Sequence, residues 1–329
     1  MNSTGAKRIG VIWLAGVLAF GTLGSKTHAE TFPSRPVRVV IPYAPGGGTD
    51  NLVRVLSPAI SASLGQQLII ENRPGGATII GTEVVVNSAP DGYTLLATDS
   101  AITINPGLFR GKMPFDTLKK LTGVTMMAHA PMPLVAHPSV PAKTFAELVN
   151  LAKAKPGSLN YASGGIGAPT HLAGELIKQA AKIDIVHVPY KGTGAALADA
   201  LSGKVQLWVS GMSTSVPYVK AGRLRALAIT GKQRHPALPD VPTFEEYGLR
   251  DIDADVYWGL YAPTGVPAEI INALSQHFAR ALRSAALAER LDSLGFMPIA
   301  NTPQQCTEQM RSLIARWTEV IEKGNIRPE

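Results

Sequence analysis

The sequence predicts an α/β protein of two lobes with a cleft between them. Strand-like and helix-like segments alternate along most of its 329 residues, and the alternation restarts near residue 130 and returns near residue 252. The length exceeds what one compact core usually holds. We therefore expect an outer domain from residues 30–130 and 253–329, an inserted domain from residues 131–252, and a hinge where the chain crosses between them.

The first 29 residues have the layout of a secretory signal peptide. Lys7 and Arg8 form a basic head, residues 9–24 are apolar, and small residues surround a cut site after Ala29. A membrane anchor is the alternative, but the apolar stretch is short for a bilayer span of about 20 residues. Removing Lys7, Arg8 and Lys26 lowers the formal net charge from +7 to +4. No basic run suited to phosphate backbones is present, which argues against nucleic-acid binding.

The first unit has the order β-α-β-α-β over residues 37–100. This order predicts parallel strands joined by right-handed crossovers. Its first helix follows "VRVVIPYAPGGGT" and carries an apolar residue at every fourth position, at Leu52, Leu56, Ile60 and Leu64. Pro58 lies inside this stripe and predicts a kink or a break.

A second α/β unit follows over residues 144–230. Thr144 and Glu147 have the spacing of a capping box at its first helix. Residues 232–250 read as a loop, and two long amphipathic helices close the chain. The single cysteine, Cys306, is expected to pack on the last helix rather than act as a nucleophile, because no Cys-His signature accompanies it. The tryptophans at 208 and 258 are also expected in the core.

Three consecutive glycines, Gly46–Gly48, stand between the first strand and its helix. A helix N-terminus presents unpaired N–H groups and a partial positive charge, and glycine lets a ligand approach the backbone closely. In parallel sheets, ligands lie beyond the carboxyl ends of the strands. We therefore predict an anion pocket at residues 43–50.

Similar turns recur at residues 161–171 and 188–197, both in the predicted inserted domain. Two lobes would then direct glycine-lined helix starts into one cleft; the alternative for each turn is a tight connection without a ligand. Phosphate motifs do not fit, since Thr49 and Asp50 replace the Lys-Ser/Thr of a P-loop and Asn51 replaces the third glycine of a dinucleotide fingerprint. A carboxylate fits better.

Several side chains near these turns have two interpretations each. Asp50 either caps its helix or holds a ligand ammonium or hydroxyl, in which case Thr49 takes the cap. Tyr43 and Tyr190 either stack on a ligand or pack. His171, in the first turn of its helix, either bonds a ligand or a helix end, or has the structural role that is slightly favoured. Lys191 either offers its ammonium to a carboxylate or stays solvated.

The sequence resembles the substrate-binding receptors of tripartite tricarboxylate transporters, also called Bug receptors. The resemblance covers nearly the whole mature chain, in the stretches "FPSRPVRVVIPYAPGGGTD", "IIENRPGGATIIGTEVVVNSAPDGYTLL", "LNYASGGIGAPTHLAGELI", "HVPYKGTGAALADALSGKV", "ALPDVPTFEEYG" and "WGLYAPTGVP". It implies a monomeric, type II-like periplasmic binding protein that captures a small organic carboxylate. Such a receptor delivers its ligand to a membrane transporter of one large and one small subunit, without a cofactor, a metal or chemistry on the ligand.

The resemblance also implies which loops hold the ligand, chiefly through backbone N–H groups, hydroxyls and bridging water. The candidate ligand-binding residues are Tyr43, Ala44, Pro45, Gly46, Gly47, Gly48, Thr49, Asp50, Ser100, Ser163, Gly164, Gly165, Gly167, Thr170, His171, Pro189, Tyr190, Lys191, Gly192, Thr193, Ser210 and Gly211.

Two other functional classes compete with this one. An exported hydrolase could use Ser163, His171 and Asp199, but "YASGG" lacks the G-x-S-x-G elbow. The histidines include no H-x-x-x-H pair, which argues against a metal site. A periplasmic sensor partner of a membrane signalling protein would use the same fold. The sequence does not identify the carboxylate.

Overall fold

The computed structural model describes residues 1–2, 32–250, 252 and 254–328. The predicted signal peptide lies almost wholly outside these described residues. The chain divides into the units Met1–Thr31 and Phe32–Glu329, and the structural account concerns the second unit. In the part that the structure describes, no helix is long and apolar enough to cross a membrane.

The strands are β1 (Val37–Ile41), β2 (Leu68–Asn72), β3 (Thr94–Thr98), β4 (Leu121–Ala130), β5 (Pro133–Ala136), β6 (Asn160–Ser163), β7 (Val186–Pro189), β8 (Leu207–Val209), β9 (Arg225–Ile229), β10 (Val256–Pro263) and β11 (Met297–Pro298). The helices are α1 (Gly48–Leu64), α2 (Ile79–Val86), α3 (Ala101–Leu108), α4 (Thr117–Lys120), α5 (Phe145–Ala154), α6 (Pro169–Ala181), α7 (Leu197–Ser202), α8 (Met212–Lys220), α9 (Ala268–Leu282), α10 (Ala285–Ser293) and α11 (Pro303–Lys323). Short 3-10 turns stand at Gly76–Thr78, Thr193–Ala196 and Glu245–Tyr247.

The first lobe is built around a six-stranded sheet of order β11-β4-β10-β3-β1-β2. As predicted from the β-α-β-α-β order, β1 lies parallel to both β2 and β3. The long strand β10 returns from the far end of the chain and pairs antiparallel with β3 and β4. Strand β4 was not predicted from the sequence, because its apolar residues do not alternate with polar ones, as is usual for a strand buried on both faces.

The second lobe is built around a five-stranded sheet of order β7-β6-β8-β5-β9. Strand β6 is parallel to β7 and β8, whereas β5 is antiparallel to β8 and β9. The chain enters this lobe between β4 and β5 and leaves it between β9 and β10, so two segments connect the lobes. The fold is therefore α/β and two-lobed, while the predicted domain bounds at residues 131 and 253 stay a prediction.

Helix α1 confirms the predicted apolar stripe and contradicts the predicted break at Pro58, whereas a kink there stays a prediction. The predicted stripe of Leu52, Leu56, Ile60 and Leu64 is buried, but Pro58 does not break the helix, which runs without interruption from Gly48 to Leu64. Pro58 and the residue four positions before it are exposed. The carbonyl that loses its hydrogen bond therefore faces solvent, where water can bond it.

The capping residues of α5 and α11 and the position of Cys306 can be compared with the sequence-based expectations. Thr144 caps α5 by accepting from the N–H of Glu147, but the Glu147 carboxylate bonds the N–H of Lys143, so the capping box is incomplete. A complete box opens α11 at Thr302. Cys306 is fully buried on α11, and burial raises the pKa of its thiol to about 12, as expected for a packing residue.

Candidate functional site

A cavity of about 30 Å³ lies between the two lobes, beyond the carboxyl ends of β1, β3, β6 and β8. Its lining comes from both sheets, at the edge where open α/β proteins bind ligands. The lining residues are Tyr43, Gly47, Gly48, Thr49, Asp99, Met132, Gly164, Ala168, Pro169, Thr170, Thr193, Gly211, Val256 and Trp258.

Three helices begin at this cavity without a side-chain cap. Their N-cap residues are Gly47 for α1, Ala168 for α6 and Gly211 for α8, and none has a side chain that accepts from the helix. The first N–H groups of a helix have no partner within the helix, and the helix dipole makes this end positive. One start belongs to the first lobe and two belong to the second, so an anion in the cavity would face donors from both.

Glycines at the cavity allow close contact between the two lobes and between helix α1 and the Trp258 ring. A Cβ at Gly48 would lie 2.8 Å from Cζ2 of Trp258, which is too near for any other residue without a shift. A Cβ at Gly194 would lie 2.6 Å from the carbonyl carbon of Gly46 in the opposite lobe. Gly46 has a φ of +85°, which an L side chain rarely adopts. The sequence analysis assigned Gly46 and Gly48 to the ligand, whereas close packing already requires glycine at positions 48 and 194.

The lobes touch each other around the cavity, so the structure is closed. The backbone N–H of Ala44 in the first lobe donates to the carbonyl of Lys191 in the second at 3.0 Å. The amide of Asn51 reaches Oγ of Ser213 at 3.4 Å. Gly167 packs against the Asn105 amide across the same boundary. These contacts join loops and helix starts of the two lobes around the cavity.

Asp50 does not have the capping role that the sequence analysis favoured, and ligand binding by its carboxylate stays a prediction. It does not cap α1, and it is absent from the cavity lining. Its buried carboxylate accepts from the N–H of Gly46 at 2.9 Å, Nδ2 of Asn72 at 3.1 Å and Nε of Arg54 at 2.8 Å. Burial opposes the charge, but these hydrogen bonds and the Arg54 guanidinium outweigh it and hold the pKa of Asp50 below its usual value. Asp50 therefore braces the glycine turn from behind.

Asp99 lines the cavity, and the sequence analysis did not single it out. It directly follows β3, and the hydroxyl of Tyr43 donates to its Oδ1 at 2.6 Å. The N–H of Ala101 donates to the same oxygen at 3.0 Å. Burial raises the pKa of Asp99 to about 6, and the hydrogen bonds from Tyr43, from Ala101 and from the residue's own backbone N–H oppose this shift without cancelling it. A polar residue just after a strand of the first sheet is the signal that could have identified Asp99.

The second-lobe turn is held from behind by a buried polar cluster. Ser163 is fully buried, and its Oγ lies 2.6 Å from Nε2 of His187. The ring of His171 stacks on His187 with centroids 4.4 Å apart, and its Nδ1 accepts from the N–H of Gly167 at 3.4 Å. Burial lowers the pKa of His187 to about 4. His171 thus has the structural position that the sequence favoured.

The trio of the alternative hydrolase is not assembled. Ser163 contacts His187 rather than His171. Asp199 instead accepts from the hydroxyl of Tyr190 at 2.6 Å and pairs with Lys204. Within the described chain, no group of three or more His, Cys, Asp or Glu side chains could hold a metal ion.

The structure distributes the sequence-predicted residues over three places. Those that line the cavity are Tyr43, Gly47, Gly48, Thr49, Gly164, Thr170, Thr193 and Gly211. Those that line only the neighbouring outer groove, of about 250 Å³, are Gly165, Pro189, Tyr190 and Lys191. Those that line neither are Ala44, Pro45, Gly46, Asp50, Ser100, Ser163, Gly167, His171, Gly192 and Ser210. That any of them binds a ligand stays a prediction.

Sequence reasoning missed the apolar side of the cavity. Met132, Val256 and Trp258 form it, together with Ala168 and Pro169 at the start of α6. Trp258 was expected in the core; it is buried and also faces the cavity, whereas Trp208 lies in the second lobe's core as expected. Met132 and Val256 lie at the two connections between the lobes. No local sequence pattern predicts that residues at these connections line the cavity.

A two-lobed α/β fold with an anion-suited cavity between the lobes defines a solute-binding protein. The chain matches the family described as tripartite tricarboxylate transporter family receptor over residues 52–326, and it belongs to that family. It is 34% identical over 305 residues to protein BugT of Bordetella pertussis, covering 92% of this chain and 94% of BugT.

Solved structures agree with this assignment. The periplasmic binding protein BugD superposes with a TM-score of 0.87 at 28% identity, covering 91% of this chain and all of BugD. The R. palustris protein Rpa4515 with adipate has a TM-score of 0.87 at 32% identity, with 91% and 100% coverage. MatC of Rhodopseudomonas palustris with bound malate has a TM-score of 0.84 at 31% identity, with 88% and 100% coverage.

Proposed function

We propose that this protein is a periplasmic receptor that captures a small organic carboxylate and delivers it to a tripartite tricarboxylate-type membrane transporter. The observation that carries the proposal is the meeting of three uncapped helix starts, from both lobes, at one cavity. Backbone donors at helix N-termini suit an anion of small size. The malate and adipate held by two relatives are both small dicarboxylates.

Capture follows from the two-lobed geometry. A ligand that accepts hydrogen bonds from α1 and from α6 or α8 bridges the lobes, so it binds the closed form more tightly than the open one. The equilibrium then shifts towards closure about the two connecting segments. We propose that these segments separate domains of residues 30–130 plus 253–329 and 131–252. The transporter subunits would recognise the closed form, and the family name supports such a partner.

No reaction on the ligand is part of this proposal. The buried Ser163–His187 pair holds the turn before α6, and Ser163 has no exposed surface from which to attack a ligand. We also propose that the chain is a monomer without a cofactor and that it is exported with cleavage after Ala29. A periplasmic sensor remains the alternative. Loss of uptake after gene deletion would favour transport, and loss of induction with intact uptake would favour sensing.

The binding test uses residues 30–329 in a thermal-shift screen against small carboxylates. A ligand at 100 times its Kd adds about 2.7 kcal/mol to stability, which gives a measurable rise in Tm. Gly47→Gln should abolish the rise, because its side chain would enter the space between Thr193 and the cavity. Ala62→Gln on the exposed face of α1 is the matched control and should retain the rise. A rise that survives Gly47→Gln would show that the ligand does not bind at this helix start.

A further inference from the structure

Asp99 places a carboxyl group in the cavity that is built for a carboxylate. It follows β3 directly and lines the same cavity as Gly48, Thr49 and Trp258. The residue is half-buried, and its remaining surface faces the cavity. A ligand carboxylate that reaches the start of α1 therefore comes close to Asp99.

The two carboxyl oxygens of Asp99 have different surroundings. Oδ1 accepts from the hydroxyl of Tyr43 at 2.6 Å and from the N–H of Ala101 at 3.0 Å. Among the residues that the structure describes, no other residue bonds Oδ2, and no lysine or arginine pairs with this carboxyl group. Tyr43 and Ala101 thus fix the orientation of the group and leave one oxygen available to a ligand.

An unsubstituted carboxylate would bind poorly beside such a group. Two negative charges would share a small cavity, and closure would remove water from Oδ2 without replacing its hydrogen bond. A ligand with a hydroxyl or an ammonium next to its carboxylate solves both problems. Its carboxylate would accept from the helix starts while its donor group bonds Oδ2.

We infer that Asp99 is a specificity-determining residue that selects carboxylates carrying a hydrogen-bond donor, a hydroxyl or an ammonium, on the carbon beside the carboxylate. This inference rests on the proposed function and narrows it to hydroxy acids and amino acids. Tyr43 is the positioning residue that holds the Asp99 carboxyl group in the orientation needed for this contact.

The test uses matched sets of acids that differ at one carbon. Each parent acid is compared with its 2-hydroxy and 2-amino derivatives: propionate with lactate and alanine, succinate with malate and aspartate, and phenylacetate with mandelate and phenylglycine. Calorimetric Kd values at pH 7.5 for residues 30–329 should be at least about tenfold lower for one derivative than for its parent, as expected for a charge-assisted hydrogen bond.

Two variants then assign this preference to Asp99. In Asp99→Leu the preferred derivative should lose about tenfold in affinity, because its donor loses the acceptor. In Asp99→Asn an amino acid should lose more than a hydroxy acid, because the amide oxygen still accepts but carries no charge. In both variants the parent acid should bind as well as before or more tightly. Asp240→Asn, an exposed loop residue, makes the same change in net charge and should preserve every ratio. Circular dichroism and Tm verify folding.

The outcomes separate this inference from the proposed function. Parents that bind as tightly as their derivatives, with ratios unchanged in the Asp99 variants, would overturn the role of Asp99 and leave a carboxylate receptor. The role of Asp99 is also overturned if the parent acids bind best and lose affinity in Asp99→Leu, since a protonated Asp99 would then donate a hydrogen bond to the ligand. If the thermal-shift screen finds no small carboxylate that binds the wild-type protein, the proposed function fails and the inference fails with it.

Discussion

Two loops of the first lobe end in an aspartate near the same cavity, and the protein uses the two residues in opposite ways. Asp50 follows β1, pairs with Arg54 and has a pKa below its usual value. Asp99 follows β3, has no cationic partner among the described residues, and has a pKa raised to about 6 by burial. The first loop uses its carboxylate to hold its own backbone, whereas the second presents it to the cavity. Residue type and proximity to a glycine turn therefore do not identify a ligand-binding aspartate. The hydrogen bonds that each carboxylate oxygen already makes indicate whether it is available to a ligand.

The largest expected effect comes from Asp50. In Asp50→Asn the N–H of Gly46 and the half-exposed Arg54 guanidinium lose the charge of an acceptor that is itself buried. We expect a loss of about 2–4 kcal/mol in the free energy of unfolding, measured by urea titration without ligand. Asp240→Asn is the control and should change stability by less than about 0.5 kcal/mol. An Asp50 variant as stable as that control would show that the Asp50 carboxylate does not stabilise its loop. The proposed difference in role between Asp50 and Asp99 would then be wrong.

Gly48→Ala tests whether the glycine turn is required by packing. The new Cβ would lie 2.8 Å from the Trp258 ring, so helix α1 or the indole has to shift, at a cost of about 1–3 kcal/mol. Gly211→Ala is the matched control at the start of α8, because its Cβ would have no neighbour closer than 3.9 Å. Thermal unfolding of the unliganded variants measures both. Equal stability of the two variants would show that packing does not require glycine at position 48, and that only ligand binding could require it.

The raised pKa of Asp99 predicts a pH dependence of opposite sign to that of an ordinary paired carboxylate. Below about pH 4 the group is protonated in both the folded and unfolded states, and it costs nothing. As the pH rises from the usual pKa of 3.8 through about 6, the folded state retains a proton that the unfolded state has lost, so stability falls. The penalty then persists at neutral pH, where the half-buried group is charged.

Asp99→Asn removes this penalty. The variant should be about 1–2 kcal/mol more stable than the wild-type protein at pH 7.5, and the difference should shrink towards zero at pH 4. The measurement is the Tm of unliganded protein across this range. Tyr43, the other titratable group in contact, has a pKa raised well above its usual value by burial and by the Asp99 charge, so it stays neutral throughout. A constant difference between the two proteins would argue against a buried Asp99 charge.

The sequence predicted what local periodicity and turn chemistry encode. The buried stripe of α1, the parallel pairing of β1 with its neighbours and the glycine-lined helix starts all follow from patterns within about 20 residues. The apolar wall of Met132, Val256 and Trp258 could not be predicted in this way, because strand pairing brings it together from distant parts of the chain. The roles of Asp50 and Asp99 were missed for the same reason, since their partners decide them.

The smallest expected effect comes from Ser100, which the sequence analysis assigned to the ligand. Its substitution tests whether the hydrogen bonds of a loop residue reveal its role. Its Oγ accepts from the backbone N–H of Tyr257 at 2.9 Å, and the residue is buried outside the cavity lining. Ser100→Ala should therefore lower the free energy of unfolding by about 1 kcal/mol, because that N–H loses its acceptor. The Kd of whichever carboxylate binds should change by less than about twofold, in contrast to the variants of its neighbour Asp99. A large loss of affinity with unchanged stability would show that Ser100 binds the ligand. Both Asp99 and Ser100 would then be ligand-binding residues of this loop, and neither would serve only to support its backbone.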